Sequence, residues 1–220
     1  MKSKNNCILI QANGNNERLG KFFKQPKHEL FYGKYKIIEN IINECKKINS
    51  DIFISIRKGE PVNFNCSDCT IIECTKTYNR IDTLEQCFPR LKSYSCVLIL
   101  DADVIIKADV LKHMLGNSIA IGQYKDDGKK YGFVKVDPLF NYISGNEKLQ
   151  KESHITIGAY SVNYNEFVNY LNSKSNRQNE SLLNYYNKYK PKSLIFSDTH
   201  IVLGDIHSYI NQLSNNEKNI

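Results

Sequence analysis

A chain of 220 residues is long enough to bury one α/β domain and short for two. With 41% hydrophobic and 24% charged residues its composition is that of an ordinary globular protein. The longest apolar runs fall far short of a membrane span, and the opening MKSKNN lacks the apolar core of a signal peptide, so neither a membrane partner nor export is expected. The net charge of +7 is spread along the chain without a helix-turn-helix, zinc-finger or RNA-recognition signature, which argues against nucleic acid and leaves small anionic substrates. Seven scattered cysteines, an odd number, predict reduced thiols and a cytoplasmic setting.

Residues 7–10 form an apolar run that breaks at Gly14, and the polar loop after it carries Arg18, Lys21, Lys24 and Lys27, with Pro26 before the last. A buried strand feeding a loop of backbone N–H groups and cations suits phosphate: Arg offers a rigid fork of donors and Lys a mobile point charge. Next, Ile37, Ile38, Ile41, Ile42, Cys45 and Ile48 recur at helical spacing, predicting a helix packed on a sheet. Residues 51–57 and 69–74 read as strands, and strand-helix-strand order implies parallel pairing with right-handed crossovers. Cys66 and Cys69 resemble half a zinc site, but no second paired motif exists, so they are read as free cysteines.

Residues 75–91 begin as a polar loop and become a helix, with Asp82 or Thr83 as the expected N-cap. The continuous apolar run 96–100 predicts a central parallel strand, and it ends in Asp101-Ala102-Asp103. Period-two alternation puts residues 101 and 103 on one side of the strand's carboxyl end, where crevices of open α/β sheets lie. Two carboxylates there suit Mg²⁺, although a helix cap beside a surface acid would read the same way. Strands are expected at 119–124 and 131–137, the segments 142–150 and 155–162 follow, helices are expected at 164–171 and 180–189, and strand-like runs at 193–203 precede Asp205 at a helix start. The residues from 214 onward are polar and are expected to fray.

The loop and the D-x-D together resemble the sugar-phosphate nucleotidylyltransferases (NDP-sugar pyrophosphorylases) of small single-domain type, whose signature runs L-x-A-G-x-G-x-R-L and then P-K. Ala12, Gly14, Arg18, Leu19, Pro26 and Lys27 fall on that pattern. Asn13 stands where a small residue is usual, and Asn16 replaces the second glycine, a place where Asn tolerates positive φ best among side-chain-bearing residues. The resemblance implies a single-domain Rossmann-like three-layer α/β sandwich with a mixed, mainly parallel sheet. Residues 1–130 would form mainly the nucleotide-binding half and 131–205 mainly the acceptor-binding half.

By the same resemblance, Arg18 and Lys27 are catalytic, and Ala12, Asn13, Gly14, Asn79, Asp82, Thr83 and Asp101 bind the nucleotide. Gly132, Glu147, Lys148 and Gly158 bind the acceptor, and Asp103 and Asp205 hold Mg²⁺ with Asp101 close by. The implied reaction joins an NTP, with UTP or CTP favoured, to a sugar 1-phosphate, giving an NDP-sugar and pyrophosphate. The implied partners are an NTP and a phosphorylated small-molecule acceptor, and a homo-oligomer is compatible with the chain. Three rivals stand beside it: a cytidylyltransferase acting on phosphocholine or another non-sugar phosphate, a nucleotide-sugar-dependent glycosyltransferase, and an inactive nucleotide-binding module. Glycosyltransferases share the D-x-D but lack the R-L to P-K loop. A dead module has no need to keep Arg18, Lys27, Asp103 and Asp205 together.

Overall fold

The apolar run at the start of the chain forms β1 (Asn6–Gln11), an interior strand of the sheet flanked on both sides by parallel neighbours. The structure is a computed structural model that describes residues 5–14, 23–75, 79–114, 116–123, 132–146, 154–173, 181–197, 200–203 and 209–210. After β1, a 3₁₀ turn (Lys27–Glu29) and the hairpin β2 (Phe31–Tyr32) and β3 (Tyr35–Lys36) lead into α1 (Ile37–Lys46). Next come β4 (Asp51–Arg57), β5 (Cys69–Cys74), α2 (Arg80–Cys87) with a 3₁₀ turn (Phe88–Leu91), and β6 (Cys96–Asp101). Past Asp101 lie β7 (Val104–Ile105), α3 (Ala108–Lys112), β8 (Ser118–Gln123), β9 (Phe133–Val136), β10 (Tyr142–Asn146) and β11 (His154–Asn163). The chain continues through α4 (Tyr164–Asn172), α5 (Leu182–Lys188), β12 (Ser193–Phe196) and β13 (Ile201–Val202).

The strands β5, β4, β1 and β6 pair in that order and all run parallel. Beyond β6 the sheet turns antiparallel. The C-terminal half of β11 pairs with β6, its first residues pair with β9, and β8 pairs with both ends; β10 extends β9, and β12 lies parallel to β8.

Alternation along the central strands builds the three layers. Ile8 and Ile10 of β1 and Leu98 and Leu100 of β6 join the core that contains Ile37, Ile38, Ile41 and Ile42 of α1. Cys7 and Leu9, with Val97 and Ile99, join the opposite core, which contains Leu84 of α2, Phe167 of α4 and Tyr185 and Tyr186 of α5. Both faces of β1 and β6 are thus covered, which is why these strands read as unbroken apolar runs. Each isoleucine of the α1 stripe is at most 2% exposed, and burying one contributes roughly 1.5–3 kcal/mol before entropy is counted.

The expected strands at 51–57 and 69–74 coincide with β4 and β5. The helix expected after residue 34 starts at Ile37, because Tyr35 and Lys36 pair with Phe31 and Tyr32 instead. The helix expected at 180–189 runs Leu182–Lys188, with the Ser181 hydroxyl accepting the Asn184 N–H at 3.4 Å as its N-cap. The two-strand ribbon of β7 and β13 joins segments about a hundred residues apart and leaves no local signal. No helix among the described residues is long and apolar enough to cross a membrane.

Candidate active site

Parallel register brings the ends of three strands level. Gln11, the last residue of β1, lies opposite Ser55 of β4 and Asp101 of β6. The chain leaves β1 with the Ala12 N–H donating to the Ser55 carbonyl at 2.9 Å, so Ala12 is buried where the strand ends. Asn13 is buried next to it and fixed at both ends of its amide. Its Nδ2 donates to Thr83 Oγ1 at 2.6 Å, and its Oδ1 accepts from Ser55 Oγ at 3.2 Å. A three-residue polar chain therefore ties the start of the phosphate loop to β4 and to the first turn of α2. The larger Asn13 side chain is accommodated inside the protein, and its amide is satisfied there.

The start of α2 corrects one expectation. The N-cap is Asn79, three residues before Asp82: Asn79 Oδ1 accepts the Asp82 N–H at 3.0 Å, and Asp82 Oδ2 accepts the Asn79 N–H at 3.3 Å. The N-x-x-D spacing is a capping-box signal that sequence reasoning passed over in favour of the acids nearer the apolar positions. Arg80 follows the cap as the first helical residue, and its pairing with Asp101 left no signal in the sequence. Its carbonyl accepts from Gln11 Nε2 at 3.5 Å, its Nη2 lies 2.6 Å from the Asp101 carboxylate, and its guanidinium sits 5.2 Å from the Tyr160 ring centre. Gln11 Oε1 is buried without a hydrogen-bond partner.

The second carboxylate of the D-x-D, Asp103, accepts from Lys27 Nζ. Between them Ala102 is buried in the core, so the two acids project from the same turn, each against its own cation. Burial raises the Asp101 carboxyl above its ordinary value, Arg80 opposes that, and the like charge of Asp103 pushes it further up. Lys27 is held by the residues after it. His28 packs edge-on against Phe64 at 5.9 Å between ring centres. The buried Glu29 carboxylate accepts the Asn63 N–H at 3.3 Å and its Nδ2 at 3.2 Å. Burial, with Lys27 and Lys36 alongside, lowers the His28 imidazole to about 4. A side chain on Gly14 would point at the Lys27 Cε, 4.0 Å away, so the loop's first glycine and its last lysine are neighbours.

Of the two glycines expected on the acceptor side, Gly158 lies against Asp101 and Gly132 lies against α5 and β11. Gly158 adopts φ +78°, at the irregularity in the β11–β8 pairing that precedes the stretch of β11 paired with β6, and a Cβ there would lie 3.0 Å from Asp101 Oδ2 and from Val104 Cγ2. Strand β11 thus closes directly on the Asp101 carboxylate. At Gly132 a Cβ would meet Leu183 Cδ1 and Thr156 Oγ1, each at 2.9 Å. On that side the glycine makes room for α5 and β11. Arg18, Glu147, Lys148 and Asp205 lie outside the described residues. Leu203, two positions before Asp205, donates its N–H to the Asp103 carbonyl at 2.8 Å.

Among the described residues no group of three or more His, Cys, Asp and Glu side chains converges, and Cys66 and Cys69 carry free thiols. The donor set at the strand ends is two carboxylates. That fits a hard cation such as Mg²⁺, which takes one or two protein oxygens and completes its shell with water and substrate phosphate.

No protein-family model matches the sequence, and no curated protein matches it in sequence. Solved structures do. A protein assigned as a glucose-1-phosphate thymidylyltransferase from Bacillus anthracis, in complex with sucrose, superposes with a TM-score of 0.81 at 20% identity, covering 96% of this chain and 94% of that one. A UDP-glucose pyrophosphorylase complexed with UDP-glucose gives 0.80 at 16% identity, with 98% and 99% covered. A nucleoside-diphosphate-sugar pyrophosphorylase from Vibrio cholerae RC9 gives 0.74 at 17% identity, with 94% and 99% covered. The chain therefore has the Rossmann-like nucleotidyltransferase fold of the nucleotide-sugar pyrophosphorylases over essentially its whole length.

Proposed function

We propose that this protein is a nucleotidylyltransferase that joins an NTP, UTP or CTP by preference, to a sugar 1-phosphate in the cytoplasm, releasing pyrophosphate. The observation that carries the proposal is Lys27, set beside Gly14 and bonded to Asp103 at the carboxyl end of the central parallel strands. A fold shared with nucleotide-sugar pyrophosphorylases supports it.

In this reaction an oxygen of the acceptor phosphate attacks the α-phosphorus in line with the leaving group. The new P–O bond forms as the α–β bridging bond breaks, and pyrophosphate departs with the electron pair. The attacking oxygen is already anionic, so no protein nucleophile is required, and the chain's task is positioning and charge stabilisation. Lys27 sits on the α-phosphate and stabilises the charge of the pentavalent transition state, while Arg18 and the backbone N–H groups near Gly14 hold the β- and γ-phosphates. Ala12 and the Asn13 backbone border the nucleotide, and Asn79, Asp82 and Thr83 fix the wall that faces it. Gln11 Oε1 is the acceptor offered to an N–H of the base. Gly158, Glu147 and Lys148 serve the acceptor. Mg²⁺ held by Asp103 and Asp205 would neutralise phosphate charge on both reactants.

The test is pyrophosphate release in the presence of Mg²⁺, with each of five NTPs against a panel of sugar 1-phosphates plus phosphocholine. One productive pair is expected. Tight binding of an NTP with no pyrophosphate from any pair would overturn the transfer reading in favour of a binding module.

A further inference from the structure

The two acids at the end of β6 are each paired with one cation, and the two pairs differ in kind. Arg80 is fixed: it is the first residue of α2, its carbonyl accepts from Gln11, and its guanidinium is held between Asp101 and the Tyr160 ring. Lys27 is a point charge on a flexible four-carbon stem, with 28% of its side chain exposed, and it meets Asp103 from the 3₁₀ turn below.

We infer that Lys27 is a resident counter-cation for Asp103 that excludes a free divalent ion, so that the metal enters only together with the nucleotide. The inference rests on the transfer reading for the identity of the site. A divalent ion arriving alone has to displace the ammonium from a carboxylate that is only 16% exposed, leaving both cations in one crevice. A metal arriving on a nucleotide brings phosphate oxygens, and these accept the ammonium as the carboxylate changes partner. Each group then exchanges one charge-assisted bond for another, and no buried charge is left unpaired. Arg80 cannot make the same exchange, because the stacking on Tyr160 and the helix start hold it in place. Asp101 therefore remains the arginine's partner, and Asp103 is the acid that changes hands.

The experiment is titration with Mn²⁺ alone, followed by the electron paramagnetic resonance signal of the free ion, on the wild-type protein and on Lys27→Met, Lys27→Arg and Lys27→Met/Asp103→Asn. Lys27→Met is expected to bind Mn²⁺ without nucleotide at least about tenfold more tightly than wild type. Lys27→Arg should stay close to wild type, because it restores a cation, and the double variant should lose the gain. Lys27→Gln serves equally if the methionine variant fails to fold. Equal or weaker Mn²⁺ binding by the folded variants would overturn the inference. Because no nucleotide enters the titration, a protein that never releases pyrophosphate but shows this gain would retain the counter-cation and lose only the transfer reading.

Discussion

At the carboxyl ends of β1, β4 and β6 the side chains that face the site are held by one another: Ser55, Asn13 and Thr83 in one polar chain, Asp101 with Arg80, Asp103 with Lys27. The antiparallel strands β8 to β11 are held from behind. There the packing is aromatic, with Tyr185 5.1 Å from Phe167 and from Tyr186, and the Tyr186 hydroxyl bridges β8 and β11 at 2.7 Å from the Ser118 carbonyl and 2.9 Å from the Ser161 carbonyl. Among the described residues, this half meets the site with the Tyr160 ring, against Arg80, and with backbone at Gly158. A polar network built from charges can exchange partners when a charged substrate arrives. A sheet locked by buried tyrosines serves as the fixed wall against which that exchange takes place. Changes in the parallel half should therefore act on turnover, and changes in the antiparallel half on stability.

The largest effect expected is on chemistry. Asp103→Asn and Lys27→Ala should each lower the rate of pyrophosphate release by on the order of 10²-fold or more, while thermal unfolding moves by a few degrees at most. A variant that lost stability and kept its turnover would break the comparison.

A pH-dependent term belongs to the same half and concerns the turn that carries Lys27. His28 is held at about 4 when folded against an ordinary 6.5, so between those values the unfolded chain binds a proton that the folded chain does not. Its contribution to stability is fully present above about pH 6.5, declines as the pH falls, and is gone below about pH 4, on the order of 3 kcal/mol in all. Urea denaturation at pH 7 and pH 4.5 should show the loss in wild type, and His28→Phe should flatten it. An unchanged slope in that variant would assign the pH dependence elsewhere.

Gly158 joins the two halves and should feel both kinds of damage. Gly158→Ala places a Cβ at positive φ and 3.0 Å from Asp101 Oδ2, at a cost of about 1–3 kcal/mol. Its turnover should fall as well, because Asp101 and Arg80 move together. Stability measured by denaturation and rate measured on the same preparation would show whether the two losses coincide. The smallest effect is expected deep in the antiparallel half. Tyr186→Phe removes the hydroxyl that bridges β8 and β11 and should cost about 1 kcal/mol with kcat unchanged.

Much of the parallel half is legible in the sequence because its central strands β1 and β6 are covered on both faces. Residues 51–57 and 69–74 stand out as β-branched runs, and the Asp101-Ala102-Asp103 turn marks the end of β6. The family resemblance puts Gly14 and Lys27 in one loop, and they are neighbours in space. Pairings across the fold were not legible: Arg80 meets Asp101 21 residues away, and Ser55 meets Asn13 42 residues away, distances at which no local periodicity carries information. The Asn79 cap was readable in principle, since Asn79 and Asp82 have the spacing of reciprocal capping. The packing of Gly132 against Leu183 was not, because it depends on where a later helix comes to rest.

The central claim is that Lys27 and Asp103 form a centre for nucleotidyl transfer, and the reverse direction tests it most directly. Radiolabelled pyrophosphate would be incubated with Mg²⁺ and each of a set of NDP-sugars, and labelled NTP measured for wild type and Asp103→Asn. The account predicts label in NTP with one NDP-sugar and wild-type protein, and none with Asp103→Asn. Label that appears equally in the Asp103→Asn reaction, or no label with any NDP-sugar, would contradict it.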